Sequence, residues 1–200
     1  MVNIFCKNSK TSSAFQEGTT LLDMIPAFEF ERPYPILAAK VNNVVQGLKY
    51  RAFNSRKVEF LDYTSYAGRS VYCSSLCFLL CKAAKDVFPE CRIVLRRPIS
   101  KGYFCALEKG DGTSLCQADV DAVKARMREI VEADMPFRRH EVRTGEAIEL
   151  FQRLGYPDKV SLLETAGDVY VNCYTLDGTP DYYYEALLPS TGFLKVWELS

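Results

Sequence analysis

Short runs of β-branched, aromatic and other apolar residues punctuate the first third of the chain, and they predict strands over residues 2–6, 36–41, 44–47 and 58–61. Asn42 and Asn43 mark the turn between the second and third, since asparagine tolerates the left-handed backbone of a tight hairpin. Gly18 and the polar pair Thr19 and Thr20 stand ahead of Leu21, Leu22 and Met24, the order of a capped helix start. The prediction is one small sheet crossed by one short helix.

Residues 63–70 turn polar and include Gly68, and beyond them the apolar period changes from two to about 3.6. That change places a boundary between residues 64 and 65. Leu76, Leu79, Leu80, Ala83 and Val87 predict a helix ending at Phe88 and Pro89. Val120, Val123, Met127, Ile130 and Val131 predict a second, with Asp119 and Asp121 near its N-terminal dipole. A third helix runs through Ala147, Ile148, Phe151 and Leu154, from Thr144 to a stop at Gly155, and a short fourth covers 159–164. Strands are expected over 92–95, 103–107, 168–174, 182–188 and 193–197. The fold class is α+β, with domains at 1–64 and 65–200.

Twenty-five basic residues are matched by 25 acidic ones, so any nucleic-acid contact needs a local patch rather than a net field. The absence of an apolar run long enough for a signal peptide or a membrane span predicts a cytoplasmic protein with no membrane partner. The eight cysteines fall in apolar, element-like stretches and are expected to be reduced, mostly as small buried side chains.

Candidate chemistry is sparse. Residues 108–114 lack the spacing and the terminal Gly-Lys-Ser/Thr of a phosphate-binding loop and read as a turn. The lone histidine, His140, sits in a basic run and is expected on a surface strand rather than beside a nucleophile. Cys73, Cys77 and Cys81, at i, i+4 and i+8, share one side of a helix. Thiolates so spaced could bind zinc, but two turns supply at most three ligands and the row flanks core leucines, so no metal is assigned. Arg96, Arg97 and Lys101 form one basic cluster, and Arg138, Arg139, His140 and Arg143 another. With Tyr182 and Tyr184, from an aromatic run over 182–184, they are candidates for gripping RNA phosphates and stacking bases. The competing reading is a solvated strand end and a partly buried sheet face.

Residues 39–47, with Lys40, Val41 and Asn42, resemble the hairpin motif of TGS domains, Asn43 standing where glycine is common. Phe88 with Pro89, residues 98–104, 119–127, Glu146 and Ala147 with Phe151, 159–164 and 189–197 resemble, in order, the second additional domain of threonyl-tRNA synthetases. In that family this domain hydrolyses mischarged tRNA. The resemblance implies a β-grasp (ubiquitin-like) TGS domain over 1–64 and a mixed α+β editing-like domain over 65–200. Counting from Phe88 and Pro89 and from residues 189–192, the family's four editing positions fall on Ser74, Phe78, Tyr183 and Leu187. None supplies the histidine or cysteine used there, so no catalytic residue and no metal ligand is expected.

The same pairing of domains resembles the N-terminal half of uridine (nucleoside) kinases. It implies a non-catalytic binding or regulatory module whose partner is a linked kinase domain, with ATP and magnesium held there and no cofactor in this chain. The alternatives are a tRNA-binding or tRNA-editing hydrolase related to threonyl-tRNA synthetase, its site relocated to Cys73, Cys77, Cys81 or His140, and a stand-alone binder of RNA. A small-molecule ligand is also open.

Overall fold

The computed structural model describes residues 1–31, 33–99 and 102–200, and for 96–99 the backbone alone. Its elements form two compact units, Met1–Met135 with Glu185–Ser200, and Pro136–Tyr184. The architecture is mixed α+β.

The first unit opens with β1 (Val2–Cys6), β2 (Thr11–Phe15), β3 (Thr19–Thr20), α1 (Leu21–Met24), β4 (Ala38–Val41), β5 (Val44–Gly47), β6 (Arg51–Ala52) and β7 (Arg56–Leu61). Five strands form one sheet in the order β2-β1-β7-β4-β5, with β1 and β7 parallel and the other neighbours antiparallel. Strand alternation explains its core face: Val2, Ile4 and Cys6 are buried in β1, as are Val58 and Phe60 in β7. They pack with Leu21, Met24, Ile25 and Phe28 in and after α1. Thr20 caps α1, its hydroxyl accepting the Asp23 N–H at 3.2 Å. Asn42 and Asn43 take φ of +48° and +71°, the left-handed turn their side chains tolerate.

α2 (Tyr66–Val87) starts where the period changes, the Ser65 hydroxyl accepting the Gly68 N–H at 3.0 Å. Beyond it, β8 (Arg92–Ile99) and β9 (Gly102–Glu108) make an antiparallel hairpin. α3 (Gln117–Glu132) then buries Val123, Met127 and Ile130. Asp119 holds its start, accepting the Cys116 N–H and the Lys109 ammonium, each at 2.9 Å.

The strand expected over 193–197 does not form, and of 182–188 only Tyr182 lies in a strand. The polar main-chain groups there bond side chains and distant loops instead of a ladder. Leu188 N–H goes to Ser75, Thr191 N–H to the Met135 carbonyl, Gly192 N–H to Asp134, and both main-chain groups of Val196 to the Tyr72 hydroxyl. A 3₁₀ turn at Thr191–Phe193 leads into an irregular segment over 194–197.

The second unit holds β10 (Arg138–Arg143), α4 (Thr144–Arg153), α5 (Pro157–Ala166), β11 (Tyr170–Leu176) and β12 (Thr179–Tyr182). Its strands are antiparallel in the order β10-β11-β12. Ala147, Phe151 and Leu163 from the helices pack with Val171 and Cys173. Gly155, at φ +73°, follows the end of α4. Asp181 is 5% exposed, and its charge is answered by the Lys159 ammonium. Among the described residues no helix is long and apolar enough to cross a membrane.

Candidate nucleic-acid interface and a filled polar site

The first place of interest is the middle of α2 with the segment that returns at Glu185. Ser74 is half-buried on α2, and one turn on, Phe78 is 0% exposed. Leu187 is 4% exposed. One hydroxyl and two hydrocarbon surfaces offer nothing that ligates a metal or activates water. Tyr183, half-buried, belongs to the second unit.

The backbone around these positions is held by polar neighbours. Ser75 Oγ donates to the Val71 carbonyl at 2.8 Å and accepts the Leu188 N–H at 2.9 Å. Thr191, 0% exposed, donates from Oγ1 to the Ile130 carbonyl at 2.7 Å and accepts the Met135 N–H at 2.8 Å. Residues 188–192 therefore act as a clip, Leu188 on α2 and Thr191 with Gly192 on the C-terminal end of α3 and the turn after it. Those hydrogen bonds account for Thr191, and the close approach of Asp134 leaves no room for a Cβ at Gly192.

Cys73 and Cys77 from α2 meet Tyr103 and Cys105 from β9. Burial pushes the Cys77 thiol up to about 12, with Cys105 and Cys73 adding to the rise. Burial also raises Cys73, against the effect of its hydrogen bond to Tyr103, and raises Cys105. Such thiols stay protonated at neutral pH, the wrong state for a nucleophile or a metal ligand. Of the eight cysteines, Cys6, Cys91 and Cys173 are buried, Cys73, Cys77, Cys81 and Cys105 are half-buried, and Cys116 is exposed. Among the described residues no group of three or more His, Cys, Asp or Glu is placed to hold a metal.

The second place is the sheet of the second unit. β10 presents Arg138, Arg139, His140 and Arg143, all exposed, so His140 does sit on a surface strand. Register sets Arg139, Glu141 and Arg143 opposite Tyr174, Asn172 and Tyr170 on one face. Arg139 Nε donates to Asn172 Oδ1 at 2.8 Å, and Tyr170 stands 53% exposed opposite Arg143. His140 Nε2 lies 3.1 Å from Thr175 Oγ1, and His140, Cys173 and Tyr182 form one row across the three strands.

Tyr182 is half-buried against the helices, its hydroxyl raised by burial, whereas Tyr184 is 87% exposed. Two arginines, an exposed tyrosine and an amide thus share a face suited to phosphate contact and base stacking. Glu141 between the arginines moderates the local charge. Tyr170 is missing from the sequence candidates, because only the β10–β11 register brings it beside Arg143. The side chains of Arg96 and Arg97, and the whole of Lys101, lie outside the described residues.

No protein-family model matches the chain. It is 26% identical over 200 residues to a threonine–tRNA ligase of Desulforamulus reducens, covering 100% of this chain and 31% of that one. A ligase of the same name from Syntrophomonas wolfei is 26% identical over 196 residues, covering 98% of this chain and 30% of that one. Another, from Symbiobacterium thermophilum, is 27% identical over 186 residues, covering 92% and 28%. The nucleoside-kinase link gains no support from these relatives. Along its whole length, which is about a third of theirs, the chain is similar to one part of threonine–tRNA ligases.

Proposed function

We propose that this chain binds tRNA without hydrolysing its aminoacyl ester. The observation that carries the reading is the full-length similarity to threonine–tRNA ligases. The buried hydrocarbon of Phe78 and Leu187 favours binding over hydrolysis, since neither can hold a water or a ribose hydroxyl.

In this reading residues 1–64 are a TGS-type β-grasp domain, supported by the sheet order with its parallel β1–β7 pair. Residues 65–200 are the editing-like domain, with its polar positions replaced at Ser74, Phe78, Tyr183 and Leu187. Phosphates are met by Arg139 and Arg143 beside Tyr170 on one face of the sheet, with Arg138, Arg96, Arg97 and Lys101 as further phosphate contacts and Tyr184 as a further stacking contact. No metal or nucleotide cofactor is assigned to this chain.

The test pairs a binding assay with a deacylation assay, using uncharged tRNA and a tRNA carrying the wrong amino acid. Binding with ester loss at the uncatalysed rate is expected. Ester hydrolysis that scales with protein concentration refutes the non-hydrolytic reading, and absence of any binding refutes the tRNA reading itself.

A further inference from the structure

In the second unit, Val142, Val171 and Cys173 turn toward the helices, so Arg139, Glu141 and Arg143 lie on the opposite face of the sheet. Tyr174 is buried on that face, and its open part runs from Glu141 to Arg143 and Tyr170. Glu141 is exposed and stands directly opposite Asn172. Among the described residues no hydrogen bond or ion pair engages the Glu141 carboxylate, so neither flanking arginine neutralises it by contact. On a surface that grips phosphates alone, such a carboxylate repels the ligand. On a surface that also reads a base, it is an acceptor for base N–H groups.

Asn172 supplies the complementary group. Its side-chain oxygen accepts the Arg139 Nε–H at 2.8 Å, which orients the amide and leaves its N–H groups to donate. Directly opposite side chains of an antiparallel pair stand about 5 Å apart at Cβ, so this donor and the two carboxylate oxygens of Glu141 sit side by side. Tyr170, 53% exposed, is one strand repeat from Asn172, about 6.7 Å along β11, within stacking reach of a base held at that edge. The Watson–Crick edge of guanine matches the set in full, with O6 as acceptor and N1–H and N2–H as adjacent donors. Adenine, cytosine and uracil each bring one donor group beside an acceptor, and one carboxylate oxygen then goes without a partner.

We infer that this face reads one unpaired guanine of the bound RNA, with Glu141 as the residue that sets the specificity. Glu141 accepts N1–H and N2–H, the Asn172 amide donates to O6, and Tyr170 stacks on the ring. Arg139 positions Asn172, and Arg143 meets the neighbouring phosphate. The guanine is unpaired because its Watson–Crick edge is occupied in a duplex. The inference rests on the tRNA reading and deepens it by naming the nucleotide that the basic strand takes. Inosine is the sharpest control, since its base lacks only the N2 amine and with it one charge-assisted hydrogen bond.

Fluorescence anisotropy of the full chain tests it, using short single-stranded oligouridylates with one central guanosine, inosine, adenosine or cytidine, and uncharged tRNA alongside. The guanosine oligomer should bind about tenfold more tightly than the inosine one. Glu141→Gln should weaken guanosine binding, keep inosine binding, and bring the two within about twofold of each other. A carboxylate that only repels phosphate gives the opposite result, tighter binding of every oligomer by the variant. That result overturns the inference, as does equal wild-type affinity for all four oligomers or an equal loss across all of them in Glu141→Gln. Binding of tRNA with no binding of any oligomer overturns the inference and leaves the tRNA reading standing. Failure to bind either refutes both.

Discussion

The Ser75 hydroxyl accepts the Leu188 N–H at 2.9 Å and donates to the Val71 carbonyl, one turn back, at 2.8 Å. One buried side chain thereby ties α2 to the returning segment, next to Ser74 on one side and Leu187 on the other. The residues that hold the backbone here are polar and satisfied, while two positions where the resemblance puts editing chemistry, Phe78 and Leu187, are buried hydrocarbon.

Ser75→Ala leaves the buried Leu188 N–H without its acceptor. The expected destabilisation is about 1–3 kcal/mol, read as a lower urea midpoint at an unchanged slope. A midpoint equal to wild type would mean that the segment is held by its apolar contacts alone.

Phe78→Ala opens a cavity in place of a fully buried ring and should cost about 3–5 kcal/mol of stability. No ester hydrolysis accompanies the change, because removing the ring adds neither an imidazole nor a metal ligand. Deacylation by this variant above the wild-type level would show that the ring merely blocks a site that is otherwise complete.

Gly68→Ala reverses the usual helix preference. In an exposed helix alanine is better than glycine by about 1 kcal/mol. Here a Cβ would stand 1.9 Å from the Asp62 carbonyl oxygen, so the first turn of α2 must shift. Thermal unfolding should show a lower midpoint, and a raised one would contradict this packing of the turn before α2.

Acid should weaken the start of α3. The Lys109 ammonium, followed by the Cys116 main-chain and side-chain donors, holds Asp119 down to about 2 from an ordinary 3.8. A depressed carboxylate contributes in full above its unfolded value and loses that contribution as pH falls through its folded value. Stability should therefore drop from about pH 4 toward pH 2, and Asp119→Asn should flatten that part of the profile. Urea midpoints measured across this window, with unchanged acid sensitivity in the variant, would reject the role.

What was legible in the sequence follows from which elements carry a period. α2, α3 and α4 announce themselves through Leu79 and Ala83, Val123 and Met127, and Ala147 and Phe151, because a helix must keep one stripe buried. β2 does not, since Thr11, Ser12 and Ser13 give an edge strand no apolar alternation. The expected strands over 182–188 and 193–197 look like strands by composition, but Ser75, Asp134 and Tyr72 take main-chain groups that a ladder would need. Long-range side-chain capture of this kind leaves no local signal. The basic strand was legible as charge, and its pairing with Tyr170 and Asn172 was not, because register is a property of two strands together.

The reading that this chain holds tRNA through the basic strand is tested by titrating uncharged tRNA into the wild type and the Arg138→Ala/Arg139→Ala/Arg143→Ala variant at two salt concentrations. Wild-type affinity should fall steeply with salt. The variant should bind more weakly, with a log–log salt slope shallower by roughly 0.7–0.9 for each phosphate that is no longer neutralised. Equal affinities and equal slopes for the two proteins would contradict the assignment of β10 as the tRNA-binding surface.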